Sequence, residues 1–296
     1  MRDTDPVLQR RRLRDRLRKL RESCDFTQKA VAEAMDWSPS KVIRIESGNV
    51  GISVTDLRIL LQHYGVTDRL VVDELVAIAR AAKMRPWWEK YKNNLSPAFL
   101  AYLSYEGHAS ILRHFSPFRV PGLLQTEEYM YEVFESNRVA DRSGRISESD
   151  ISLRAELRIE RQERLLGGGG PELNFILDES VIRRPVNSRS VMRGQLQHLL
   201  EMAQEPKITL RVLPLSVGMY PKCFNPYSVL EFESSEQDLV VYLEDVNVKT
   251  IREGYTGDAP DGYSPSDYLE VFFGLEQVAP ATGTRDLLEQ AMEDFT

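Results

Sequence analysis

The chain of 296 residues carries 38 Lys+Arg against 45 Asp+Glu, a net charge of −7, and its composition is that of an ordinary globular protein. At roughly 100–200 residues per domain, that length predicts two domains. Only Cys24 and Cys223 are present, far apart in sequence, which excludes a disulfide framework or a cysteine-rich metal site and favours a reducing cytoplasm.

No apolar run reaches the roughly 18 residues of a membrane span, and the polar, arginine-rich start lacks a secretory core. The charge is unevenly spread. Residues 1–65 hold 13 Lys+Arg and 9 Asp+Glu, whereas the remainder holds 25 and 36. A basic head on an acidic body fits an N-terminal module that meets a polyanion.

The first expected element is "VLQRRRLRDRLRKLRESC" (7–24), a helix whose Leu13, Leu17 and Leu20 form one apolar stripe among arginines. Thr27 caps a helix over 28–35, with Ala30, Val31 and Ala34 expected on its inner face. "DW" turns a corner. Ser38 and Pro39 then open a third helix that runs to Ser47 and stops at Gly48. Ser53 and Asp56 resemble a capping box before a fourth helix, and "LVVDELVAIARAAK" supplies a fifth. The expected architecture is multidomain: an all-α five-helix domain over 1–82, read below as DNA-binding, a hinge at 83–95 where Pro86 breaks the helix, and a larger α+β domain over 96–296 with a mostly antiparallel sheet, to which the resemblance given below assigns regulation and dimerisation.

In that body, "SPAFLAYLSYEGHASILRHF" (96–115) and "QTEEYMYEVFESN" (125–137) have helical period, and 150–166 is a strongly charged helix ended by "GGGG". Strands are expected at 173–180, 208–214, 227–233 and 238–245, the last two as an antiparallel hairpin across "SSEQ", with a helix at 188–204 between the first two. A final helix is expected within 264–278 and a short one near 284–293.

Two short capped helices joined by a tight corner predict a helix-turn-helix unit. The second can enter a major groove only with a small, polar outward face. Val42 and Ile45 point inward, so Ser40, Lys41 and Arg44 face out beside the cap Ser38. Gln28 and Thr27, at the start of the preceding helix, are placed to meet a phosphate. Arg12 and its neighbours Arg10, Arg11 and Arg14 add sequence-independent phosphate contacts.

The stretch "FTQKAVAEAMDWSPSKVIRIESGNVGISVTDLRILLQHYGV" resembles the lambda-repressor-like, XRE-type helix-turn-helix family at Thr27, Gln28, Ala32, Ser38, Glu46 and Gly48, with Ile45 offset from that family's usual isoleucine. The resemblance implies a homodimer on double-stranded operator DNA. The body resembles the uncharacterised domain fused to such units in actinobacterial, WhiJ-like regulators, through pieces including "WWEKY", "FSPFRVPGLLQTEEYM", "RIERQERLL" and "VVYLED". That likeness implies control by a ligand or by a small protein encoded nearby, and a cytoplasmic, nucleoid-associated place. An antitoxin-like module that neutralises such a neighbour is the alternative.

No catalytic residue, metal site or cofactor is expected. His108, His114 and His198 lack metal-ligand spacing, and "GGGG" lacks a phosphate-cradle context. Glu244 at a strand end suggests an ADP-ribosyltransferase-like body, but no accompanying serine–threonine–serine strand motif occurs. Asp178, Glu179, Arg183 and Arg184 read as an ion-pair network or a site. "VPGLLQT" (120–126) reads as a packed turn or as the wall of a groove. Trp87, Trp88, Tyr91, Arg183 and Arg184 are the expected partner or ligand surface.

Overall fold

The computed structural model describes residues 6–48, 50–141, 144, 146–167, 169–220, 225–232, 239–244, 249–253 and 263–295, with the backbone alone at 249, 252 and 253. Cys223 and the "SSEQ" turn lie outside them. The chain divides into two compact units, Met1–Glu89 and Lys90–Thr296. That division falls inside the stretch read as a hinge, where a 3-10 helix occupies Trp87–Asn94.

The first unit holds α1 (Pro6–Ser23), α2 (Gln28–Ala34), α3 (Pro39–Glu46), α4 (Val54–His63) and α5 (Arg69–Ala81). Leu13, Leu17, Val31, Val42, Ile45, Leu57, Leu61 and Leu75 close one core. The inner face of α2 is Val31 and Ala32, not Ala30 and Ala34, which are exposed. Small alanines on both sides of the helix leave its phase to the one bulky residue, Val31. Ser53 caps α4 through the Asp56 amide at 2.9 Å. The reciprocal half of the expected box is replaced, because the Asp56 carboxylate meets Lys41 Nζ at 3.3 Å.

The second unit runs α6 (Pro97–Glu106), β1 (Ile111–Ser116), α7 (Glu127–Ala140), α8 (Glu148–Leu166), β2 (Glu172–Asp178), α9 (Glu179–Arg183), α10 (Arg189–Met202), β3 (Ile208–Leu213), β4 (Tyr227–Glu231), β5 (Leu239–Glu244), β6 (Lys249–Glu253), α11 (Pro265–Val278) and α12 (Ala281–Glu293). The strand order is β3-β2-β1-β4-β5-β6. The antiparallel half β1-β4-β5-β6 fits the expected sheet, and the hairpin of β4 with β5 forms as expected. The β1-β2-β3 half is parallel, as crossovers through helices require. β1 itself corrects the helical reading of residues 111–115: Gly107 closes α6, and hydrogen bonding to β2 and β4 on both sides then imposes an extended chain.

Alternation gives the sheet two unlike faces. On one, Phe115, Ile176, Tyr227, Val229 and Val241 bury against Tyr268, Phe272 and Leu275 of α11. On the other, the register aligns Phe175, His114, Ser228 and Tyr242 in one row across four strands. α6 lies over that row, with Tyr102 stacked on Tyr242 at 4.4 Å between ring centroids.

Candidate nucleic-acid interface and body cavity

The head's site is built on two caps and one corner. Thr27 Oγ1 accepts from the Ala30 amide at 3.1 Å and Ser38 Oγ from the Lys41 amide at 3.3 Å, each satisfying an orphan donor of its helix. Between them Asp36 takes a left-handed conformation, φ 53°, and the Trp37 amide donates to Ala32 O at 2.8 Å. α1, α2 and α3 are tied at one carboxylate. Glu46 accepts Arg21 Nε at 2.7 Å, Arg21 Nη2 at 3.1 Å and Gln28 Nε2 at 2.8 Å, while Arg21 Nη1 donates to Phe26 O. Hydrogen bonding to Glu46 raises the Arg21 pKa above its ordinary value.

The outward stripe of α3 is Ser40, Ile43, Arg44 and Ser47, all exposed at helical spacing. Arg44 has no ion pair among the described residues. Ile43, 49% exposed, is a member the sequence reading missed. Counting inward residues alone would have found it, since Val42 and Ile45 leave position 43 pointing out. Lys41 is displaced from the expected stripe: its ammonium lies 3.8 Å from the Trp37 ring centroid and pairs with Asp56. Gln28 lends its amide N–H to Glu46, so it is half-committed to structure. Arg12 is half-buried on α1. Beside it Arg11 and Arg14 share Asp15, and Arg10 donates to Ala82 O at 2.9 Å.

Much of the expected partner surface is buried or engaged within the chain. Trp88 and Tyr91 are 7% and 1% exposed, too buried to present a surface, and the Tyr91 hydroxyl bonds Glu156 and Glu160. Trp87 is half-buried. Arg183 is engaged within the chain by Glu179 at 3.0 Å and Asp294 at 2.9 Å, and Glu179 also accepts the Leu215 amide. Asp178 caps α9. Glu179, Arg183 and Asp294 form an ion-pair network at the strand-to-helix corner, with Arg184 exposed outside it.

A cavity of about 410 Å³ lies instead over the polar face of the sheet. Its floor is His114, Ser228 and Tyr242, and the turn read as packing or groove, "VPGLLQ", forms one wall. Arg154, Arg158 and Arg161 project into it from α8 at i, i+4, i+7 spacing. The floor is a hydrogen-bonded chain: His114 Nδ1 to Ser228 Oγ at 2.8 Å, Ser228 Oγ to Tyr102 Oη at 3.4 Å, and the Tyr102 hydroxyl donating to Glu106 at 2.8 Å. Burial pushes the His114 pKa down to about 4, so the ring is neutral at neutral pH.

Arg161 forks onto Glu106, through Nε at 2.6 Å and through Nη2. Burial opposes its charge, yet Glu106 and Tyr102 outweigh that and raise its pKa. Glu244 sits at the cavity edge, 3.5 Å from Arg119. Among the described residues no group of histidine, cysteine and carboxylate side chains is arranged to hold a metal ion.

A model of the helix-turn-helix domain matches residues 12–75, and a model described as a domain of unknown function (DUF5753) matches residues 99–254. No curated protein and no solved structure matches the chain.

Proposed function

We propose that this chain, which belongs to the DUF5753 family and carries a helix-turn-helix domain ahead of that family's domain, is a sequence-specific DNA-binding transcriptional regulator whose body receives the controlling signal. The observation that carries the reading is the outward face of α3. Ser40 and Arg44 offer hydrogen-bond partners for base edges, and Ile43 offers an apolar contact of the kind a thymine methyl accepts. Thr27 and the remaining N–H capacity of Gln28 serve a phosphate at the start of α2, with Lys41 and Arg12 adding phosphate contacts at the edges.

A homodimer on a partly palindromic operator accompanies this reading, with half-sites one helical turn apart. The finer assignment is an actinobacterial, WhiJ-like regulator working at the nucleoid, with its signal a ligand or a small partner protein. No catalysis is assigned to the body. Among the described residues, no helix is long and apolar enough to cross a membrane.

Arg44→Ala tests the assignment in a gel-shift assay on operator DNA. Arg44 is exposed, so the fold should persist while affinity falls roughly 10- to 100-fold, the worth of one good base contact. Unchanged operator affinity would remove α3 from the interface. The slope of log K against log salt counts the phosphates neutralised by cationic side chains, and a slope near zero would remove Lys41 and Arg12 from that role.

A further inference from the structure

Three of the four arginines facing the body cavity lie on one stripe of α8, and two of them form no ion pair among the described residues. Arg119 pairs with Glu244 and Arg161 with Glu106. Arg154 and Arg158 have no carboxylate within ion-pair distance among the described residues. Arg158 Nη1 donates to the Gln125 amide oxygen, and its guanidinium lies 4.6 Å from the Phe134 ring centroid. Both partners orient a cation without neutralising it. Two positive charges are therefore left over at the cavity wall.

The site is shaped to keep them there. Gln125 is locked by Val120 O at 2.7 Å. Gln162 holds the wall by donating to Gly122 O and Gln125 O, both at 2.9 Å. Gly122 carries no side chain where the guanidinium passes: a Cβ there would stand 3.0 Å from Arg158 Nε and 3.3 Å from its Cζ.

A second, independent observation lies opposite. Tyr242 is 2% exposed and lines the cavity floor, and its hydroxyl has no hydrogen-bond partner among the described residues. A buried polar group without a partner is costly, and this one belongs to a residue that lines the cavity.

We propose that this cavity binds a small organic phosphate, with its phosphate on Arg158 and Arg154 and a hydroxyl-bearing remainder over Tyr242 and Ser228. The charge supports a dianion, because two guanidinium groups are unpaired and the His114 ring contributes none. Guanidinium forks suit the oxygens of a phosphate. The volume exceeds what a bare phosphate fills and is that of a small-molecule site. The floor groups are hydroxyls and an imidazole, which match the hydroxyls of a sugar. Naming such a ligand an effector rests on the regulatory reading above; the binding itself does not.

The test is calorimetric titration of the full-length protein with inorganic phosphate, ribose 5-phosphate and ribose, at fixed ionic strength. Saturable binding of inorganic phosphate is expected, with ribose 5-phosphate at least tenfold tighter and ribose silent. Arg158→Met should abolish both phosphate isotherms, and Tyr242→Phe, which deletes one oxygen, should weaken ribose 5-phosphate about fivefold or more while sparing inorganic phosphate. Absence of saturable phosphate binding in the wild type, or binding that survives Arg158→Met, would overturn the site. Equal affinity for phosphate and its sugar ester would overturn the organic remainder. Gel shifts on the same preparations read DNA binding separately, so failure of the ligand site and failure of the regulator reading are distinguishable.

Discussion

Arg21 in the head and Arg158 in the body are two arginines drawn in from solvent, and they are treated in opposite ways. Arg21 meets Glu46 through two N–H groups, spends a third on Phe26 O and reaches Glu22 with Nη2. Arg158 is offered an amide oxygen and an aromatic face, and burial among Arg161 and Arg119 pushes its pKa down to about 9. A buried charge with its counter-ion is a joint; one without is a socket. The same residue type therefore holds three helices together in one unit and waits for an anion in the other.

The largest effect that would break this contrast lies at the joint. Glu46→Gln leaves Arg21 and Gln28 pointing donors at an amide, with Arg21 only 11% exposed and the carboxylate it lost 5% exposed. Removing one partner of such a pair should destabilise the head by about 3 kcal/mol. Trp37 packs against the first unit's core, so its fluorescence during urea unfolding, with Trp87 and Trp88 at the unit boundary replaced by phenylalanine, reads that unit by itself. A change under about 1 kcal/mol would show that Glu46 is not the joint.

The next effect sharpens the other side. His114 has a folded-state pKa depressed to about 4 by burial, against about 6.5 when unfolded. Its contribution is therefore fully present above about pH 6.5 and is lost as the pH falls toward 4, because the unfolded chain takes up a proton that the folded ring refuses. The loss amounts to at most about 3 kcal/mol. Hydrogen exchange at the amides of β1 and β4 should show it, and His114→Gln should flatten that pH dependence. An unaltered profile in the variant would place the titrating group elsewhere.

Why the head was legible and the body's site was not follows from where polar residues point. In α3 the apolar residues face in and the polar ones face water, so Val42 and Ile45 disclose the helix phase. β1 hides because His114 and Ser116 face a cavity: "ILRHFS" thereby loses the apolar-polar alternation by which a half-buried strand is recognised. Ser228 does the same to β4. On α8 the cavity stripe of Arg154, Arg158 and Arg161 is diluted by outward ion pairs such as Arg164 with Glu160 and Lys90 with Glu156, and one-dimensional charge counting cannot separate them. The row that joins Phe175, His114, Ser228 and Tyr242 exists only after four strands from distant parts of the chain have paired.

The smallest expected effect is the most discriminating. Arg158→Met removes a charge that no carboxylate pairs with directly among the described residues and replaces its stem with an apolar one of similar length. Deleting the guanidinium relieves its burial, which favours the variant, and strands the Gln125 oxygen, which disfavours it by about 1–3 kcal/mol. These oppose each other, so stability without ligand should stay within about 1 kcal/mol of wild type. Arg21→Met differs, since it leaves Glu46 buried and unpaired and should lose as much as Glu46→Gln. Exchange at α8 for the first variant and tryptophan fluorescence for the second give the two numbers. A loss at Arg158 as large as that at Arg21 would make both residues joints and take away the physical reason for an anion in the cavity.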